Sequence, residues 1–168
     1  ADPALASLYH PPFAESSRYP SNPPEAWEKA WYLRVKDLID QYQPDLMYFD
    51  GSYPFDTGDV GRRLVAHYYN VNTRWHDGRN EAAMCIKNMP TEHGVFRIGT
   101  CVRDIERGKT DSVAEHPWQT DTCVGGWFYD VRRLYKSSRQ VIEMLVDIVA
   151  KNGNLLLNFT QKPDGSLD

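Results

Sequence analysis

The chain has 168 residues, 41% hydrophobic and 12% aromatic, with a net charge of −4. That composition excludes a disordered chain and is enough to bury a sizeable core. The acidic balance, with no basic stripe, argues against a nucleic-acid partner, and no run of about eighteen apolar residues is present to make a membrane span.

No signal segment is visible and Ala1 is not an initiator methionine, so a soluble fragment or processed form is expected. Cys85, Cys101 and Cys123 are odd in number and not spaced as zinc ligands; they read as small apolar residues, with at most one pair.

In chain order, Pro3, Pro11, Pro12, Pro20, Pro23 and Pro24 predict a loop over residues 1–24. A helix follows from near Glu25, where Trp27, Trp31, Leu38 and Tyr42 recur at helical spacing and Val35 and Ile39 widen the apolar stripe. Trp27 and Trp31 read as core, and Pro24 suits the first turn. Pro44-Asp45-Leu46-Met47-Tyr48-Phe49-Asp50-Gly51 then reads as a short buried strand that delivers a carboxylate, Asp50, to its carboxyl end. Taken alone, Asp50-Gly51 is also a common turn pair.

A second strand is expected over Leu64–Tyr69, a short helix over Arg79–Lys87 and a third strand over Val95–Val102, interrupted by Gly99. Trp118–Val124 is a fourth, broken by Gly125-Gly126 before Trp127, Phe128 and Tyr129. The next helix has Leu134, Val141, Ile142, Leu145, Ile148 and Val149 as its apolar face and stops at Asn152-Gly153. Leu155–Phe159 is a last strand and Lys162-Pro163-Asp164-Gly165 a turn.

Strands alternating with helices point to an α/β fold, a parallel sheet with helices packed outside. A complete (β/α)8 barrel needs about 250 residues. The chain is therefore expected to be the carboxyl-terminal part of a TIM-like barrel, one partial domain over 1–168 with βα units from residue 25. A small open doubly wound sheet is the alternative, but no Gly-x-Gly-x-x-Gly motif accompanies it.

Ligands and catalytic groups collect at the carboxyl ends of strands in such sheets. If Asp50 works there in glycoside hydrolysis, a second carboxyl group is needed near the leaving oxygen. Glu106, in Val102-Arg103-Asp104-Ile105-Glu106-Arg107-Gly108, is the first candidate, and Glu115, in Ala114-Glu115-His116-Pro117, the rival. On pattern alone Glu106 also reads as a solvated loop ion pair.

Four strings occur in the order found in the α-L-fucosidases of glycoside hydrolase family 29: the Pro44–Gly51 octapeptide, Ala66-His67-Tyr68-Tyr69-Asn70, Trp118-Gln119-Thr120-Asp121-Thr122 and Lys151-Asn152-Gly153-Asn154-Leu155-Leu156-Leu157-Asn158. The chain resembles that family from about Pro23 to its last residue. The resemblance implies a (β/α)8-like catalytic barrel and exo-hydrolysis of terminal α-L-fucose with retention. It further implies Asp50 as the nucleophile that forms the glycosyl-enzyme and, by its distance from Trp118, Glu106 as acid/base in preference to Glu115. It implies a secreted, periplasmic or lysosomal setting, a fucosylated glycan as substrate, and neither metal nor organic cofactor. The family's amino-terminal barrel strands and the carboxyl-terminal β-sandwich of many members are absent, so the fragment alone is expected to be inactive.

For retention the two carboxyl groups should stand about 5–5.5 Å apart. His67, expected at a strand end, is a candidate sugar contact or a packed residue. Trp127 is a candidate to stack on the apolar side of a 6-deoxy sugar, or an ordinary core ring. Two other readings stay open: a carbohydrate-binding or scaffold protein that lost catalysis, and a retaining hydrolase for another sugar.

Overall fold

The computed structural model describes residues 4–5, 24–51, 59–87, 96–132 and 134–167, and the chain divides into two units, Ala1–Cys101 and Val102–Asp168. Of the proline-rich loop expected over residues 1–24, only residues 4–5 and 24 are described.

In the first unit α1 (Glu25–Tyr42) begins after Pro24, whose carbonyl accepts hydrogen bonds from the backbone of Trp27 (2.9 Å) and Glu28 (3.1 Å). Glu25 and Glu28 put negative charge at the positive end of the helix dipole. The helix stops at Gln43, which is left-handed (φ 46°, ψ 53°) because the following Pro44 disfavours right-handed helical angles there. Two residues later β1 (Leu46–Phe49) begins, as expected, and runs parallel to β2 (Ala83–Ile86), with Leu46 opposite Ala83 and Phe49 opposite Ile86.

Between them lies α2 (Val60–Trp75), which corrects the expected strand over Leu64–Tyr69. Its β-branched and aromatic residues suggest a strand, but Val60, Leu64, Val65, Tyr68, Val71 and Asn72 are buried at helical spacing and make one face. The expected helix over Arg79–Lys87 is likewise corrected. Ala83–Ile86 is a strand, and its last three residues are buried.

Ile39 of α1, Leu64, Val65, Tyr68 and Val71 of α2, and Met84 and Ile86 of β2 form the core, against which Trp31, Met47 and Phe49 pack. Each fully buried side chain of this size contributes about 1.5–3 kcal/mol. Leu38 and Tyr42, expected on the same stripe, are exposed. The Tyr68 hydroxyl donates to the Pro44 carbonyl (2.7 Å), tying α2 to the turn that launches β1.

The second unit has three parallel strands, β3 (Val102–Asp104), β4 (Trp118–Cys123) and β5 (Gly153–Asn158), with α3 (Ser138–Ala150) between the last two. The strand expected over Val95–Val102 is displaced: residues 88–95 lie outside the described residues, 97–100 make a turn with Gly99 at φ 86°, and pairing starts only at Val102. Every residue of β4 is buried, as a central strand covered on both faces must be.

Ser137 caps α3 by accepting from the Gln140 backbone while the Gln140 side chain accepts from the Ser137 backbone, a reciprocal capping box. After the helix, Asn152 (φ 65°) makes the left-handed reversal. Gly153 serves packing instead, since a Cβ there would stand 2.6 Å from the Trp118 ring and 2.8 Å from Ile148. Of the apolar face expected for this helix only Ile148 is buried, and Leu134 lies before its first turn, exposed. The Lys162–Gly165 turn forms, with Gly165 at φ 85° donating to the Lys162 carbonyl (2.9 Å).

Candidate active site

Asp50 follows the last residue of β1, is exposed, and precedes Gly51, whose φ of 97° suits glycine. Met47 and Phe49 pack towards the helices. Strand alternation, carried one residue past Phe49, puts Asp50 in phase with Leu46 and Tyr48 on the opposite face.

His67 is on α2, and its Nε2 lies 2.7 Å from Oδ1 of Asp40 on α1. The expectation that it ends a strand is therefore corrected: it belongs to the helix layer. Asp40 also accepts from Lys36. Burial would raise the Asp40 pKa, but the hydrogen bonds from Lys36 and His67 outweigh it and hold the carboxyl below its usual value.

In the second unit pairing with β4 continues beyond β3. The Ile105 amide donates to the Gln119 carbonyl (2.8 Å) and that of Arg107 to the Asp121 carbonyl (2.9 Å), so Glu106 lies level with Asp121 near the carboxyl end of the sheet. Arg107 adopts φ 48°, turning the chain away. Its Nε is 3.7 Å from Glu106 Oε1, its guanidinium sits 4.7 Å above the centre of the Trp127 ring, and its Nη2 donates to Cys123 Sγ (3.3 Å). Glu106 and Arg107 are each about half exposed.

Glu115 is placed differently. The Ala114 amide donates to the Lys151 carbonyl (3.2 Å), and Asn152 Nδ2 donates to the Ala114 carbonyl (3.2 Å), so this loop lies where β4 and β5 begin. Glu115 thus stands at the opposite end of the sheet from Glu106.

Trp127 is held through its backbone, with Asn158 Nδ2 donating to its carbonyl (3.3 Å) and Thr160 Oγ1 to that of Gly126 (3.2 Å). Gly125 is needed for close approach, because a Cβ would come within 2.6 Å of the Tyr135 ring and 2.9 Å of the Leu134 carbonyl. Trp127, Phe128 and Tyr129 face Asn158, Phe159, Thr160 and Gln161 across a cleft of about 370 Å3. On the inner face below, Gln119 Nε2 donates to Asp104 Oδ1 (3.0 Å) and Asn154 Nδ2 to Gln119 Oε1 (3.1 Å), linking three adjacent strands. A second cleft, of about 460 Å3, lies on the helix face, lined by Thr120, Thr122, Glu143 and Asp147 among others.

The structure thus brings Glu106 and Trp127 together through Arg107, a residue that sequence reasoning considered only as a charge beside Glu106. Its one legible signal was a cation directly after the candidate acid. All three cysteines are buried free thiols, and among the described residues no group of three or more His, Cys, Asp or Glu side chains could hold a metal ion.

A Caenorhabditis elegans protein named "Putative alpha-L-fucosidase" is 26% identical over 176 residues, covering 95% of this chain and 33% of that protein. A solved α-L-fucosidase superposes with a TM-score of 0.66 at 25% identity, covering 86% of this chain and 31% of its own. Thermotoga maritima α-fucosidase in complex with fucose gives 0.62 at 25% identity, with coverages of 92% and 34%. The chain spans about a third of the length of these relatives. Their likeness identifies its parallel strands and outer helices as part of a TIM-like barrel. The family model for α-L-fucosidase matches residues 3–168, and the chain belongs to that family.

Proposed function

We propose that the protein containing this chain is a retaining exo-α-L-fucosidase that acts on terminal fucose of glycans by double displacement. One observation carries the reading: Asp50 and Glu106 each follow the carboxyl end of a parallel strand, where such barrels keep their chemistry. The placement of Glu115 at the amino ends supports Glu106 as the acid/base. His67, held by Asp40 in the helix layer, has no part in the sugar site under this proposal.

In the first step the Asp50 carboxylate attacks the anomeric carbon while Glu106 gives its proton to the leaving oxygen, and the glycosidic bond breaks. In the second, Glu106 takes a proton from water, whose oxygen displaces Asp50 and restores the starting configuration. Trp127 contributes an aromatic wall for the substrate.

Azide trapping in the full-length protein tests both roles. Asp50→Gly should lose turnover on an aryl α-L-fucoside by several orders of magnitude and, with azide, release the β-fucosyl azide. Glu106→Ala should keep the first step on activated aryl fucosides and release the α-fucosyl azide. Near-normal turnover of Asp50→Gly refutes the nucleophile, and the absence of the α-azide from Glu106→Ala refutes the acid/base.

A further inference from the structure

We infer that Arg107 is a positioning residue for the proton transfer, its guanidinium fastened beside Glu106 to receive the negative charge that appears there when the leaving oxygen is protonated. This rests on the fucosidase reading and deepens it. When Glu106 gives up its proton the glycosidic bond breaks, the bonding pair stays on the leaving oxygen, and a carboxylate is left on Glu106. A cation already in place stabilises that carboxylate without having to be moved there as the bond breaks. At 3.7 Å from Glu106 Oε1, Arg107 Nε is in ion-pair range and too far for a hydrogen bond, so it adds charge without taking over the proton's position on the carboxyl group.

The side chain is held from two sides besides the acid. The guanidinium lies 4.7 Å above the centre of the Trp127 ring, and Nη2 donates to Sγ of the buried Cys123 (3.3 Å). Cys123 Sγ in turn donates to the Gly125 carbonyl (2.7 Å), which directs its S–H away from Arg107 and leaves the sulfur to accept. Neither an indole face nor a thiol cancels the positive charge. The backbone is fixed as well. The Arg107 amide donates to the Asp121 carbonyl (2.9 Å), and φ is 48°, a left-handed conformation that a non-glycine residue keeps only where its surroundings impose it, as working sites do. Gly108 then permits the close turn, since a Cβ there would come within 2.5 Å of Ile105 Cγ2. Glu106 and Arg107 are each about half exposed, so water weakens their attraction in the resting protein, and a bound substrate that displaces this water strengthens it when the proton moves.

The test compares two substrates in the full-length protein. Phenyl α-L-fucoside leaves with the help of the acid, whereas a dinitrophenyl α-L-fucoside scarcely needs protonation, and kcat/KM reports the bond-breaking first step for both. In Arg107→Gln the ratio of kcat/KM for the phenyl to that for the dinitrophenyl fucoside should fall about tenfold, a part of what a general acid supplies. Arg107→Lys keeps the charge and should recover most of that ratio. Trp127→Leu removes the platform under the guanidinium and should lower the same ratio, but no further in an Arg107→Gln background. Should Arg107→Gln fail to fold, the ratio in Trp127→Leu decides. A ratio unchanged in Arg107→Gln or in Trp127→Leu, or lowered as far in Arg107→Lys as in Arg107→Gln, overturns the role of Arg107 while the fucosidase reading stands. Hydrolysis of neither fucoside by the unaltered protein overturns that reading and the role of Arg107 with it.

Discussion

Gly153→Ala is a sharp test of how the second unit packs. The added methyl would lie 2.6 Å from Cε2 and Cζ2 of Trp118 and 2.8 Å from Cγ2 of Ile148, well inside van der Waals contact. Neither neighbour can retreat freely. The Trp118 indole donates to the Lys151 carbonyl (2.9 Å), so moving the ring sacrifices a hydrogen bond worth about 1 kcal/mol and leaves the indole N–H unpaired, while the carbonyl keeps the Ala114 amide. Ile148 is 2% exposed and anchors α3, so moving it opens the sheet–helix contact. Overpacking costs about 1–3 kcal/mol, and with the indole bond at risk the upper part of that range, about 2–3 kcal/mol, is expected. Urea unfolding of the full-length protein followed by tryptophan emission measures it. Gly78→Ala is the control: its φ is 90° with open space around it, so it should cost only about 1 kcal/mol of backbone strain. In an Ile148→Ala background, where Cγ2 is gone, the cost of Gly153→Ala should drop by about 0.5 kcal/mol or more. A Gly153→Ala protein within about 0.5 kcal/mol of the unaltered one, with unchanged emission, would refute the packing argument.

Tyr68→Phe strips the donor from the Pro44 carbonyl and should cost about 0.5–1.5 kcal/mol, read from the shift in denaturation midpoint; no shift removes the tie between α2 and the β1 turn. Burial pushes the Cys101 thiol from 9.0 up to about 12, so it should resist iodoacetamide at pH 8 until the protein unfolds. Because the unfolded thiol ionises first, the stability this group contributes is complete below about pH 9 and lost as pH rises towards about 12; a flat stability profile between pH 9 and 11 contradicts this. Hydrogen bonds from Arg132 hold the Asp130 carboxyl down to about 2, so its NMR titration should find it still ionised at pH 3, and Arg132→Ala should return it towards the ordinary carboxylate range. His67→Gln should shift the denaturation midpoint without changing KM for a fucoside, and a raised KM would return His67 to the sugar site.

Elements whose local signals agreed with their surroundings were legible in the sequence. Pro24, Gln43 and Pro44 delimit α1 by backbone geometry alone; β1 and β5 are centred on apolar runs, and β4, though mostly polar, is rich in β-branched threonine and bounded by Pro117 and Gly125. The pair α2 and β2 was exchanged because propensity and burial disagree there. Leu64–Tyr69 has strand-like residues on a helical face, and Ala83–Ile86 has helix-favouring alanine and methionine but is a strand with three of its four residues buried. Near the candidate site, the place of Asp50 just past β1 was legible from the Pro44–Gly51 octapeptide, whereas Glu106 follows a strand that begins at Val102 and not at Val95. The Arg107–Trp127 contact was not legible, since it joins residues twenty positions apart through a loop whose path is set by Gly125 packing against Tyr135.

The outward side of α3 has a practical consequence. Ile142, Leu145, Val146 and Val149 are exposed at spacings of three and four, the pattern of a helix-packing seam. Anyone producing this chain by itself will be handling a sticky molecule, whose behaviour is set by protein concentration as much as by temperature. Two charged replacements on that seam, Ile142→Glu and Val146→Lys, leave the Ile148 side untouched and form an i,i+4 pair of favourable orientation. They are the first changes to make when a sample must stay dispersed at the concentrations that spectroscopy demands.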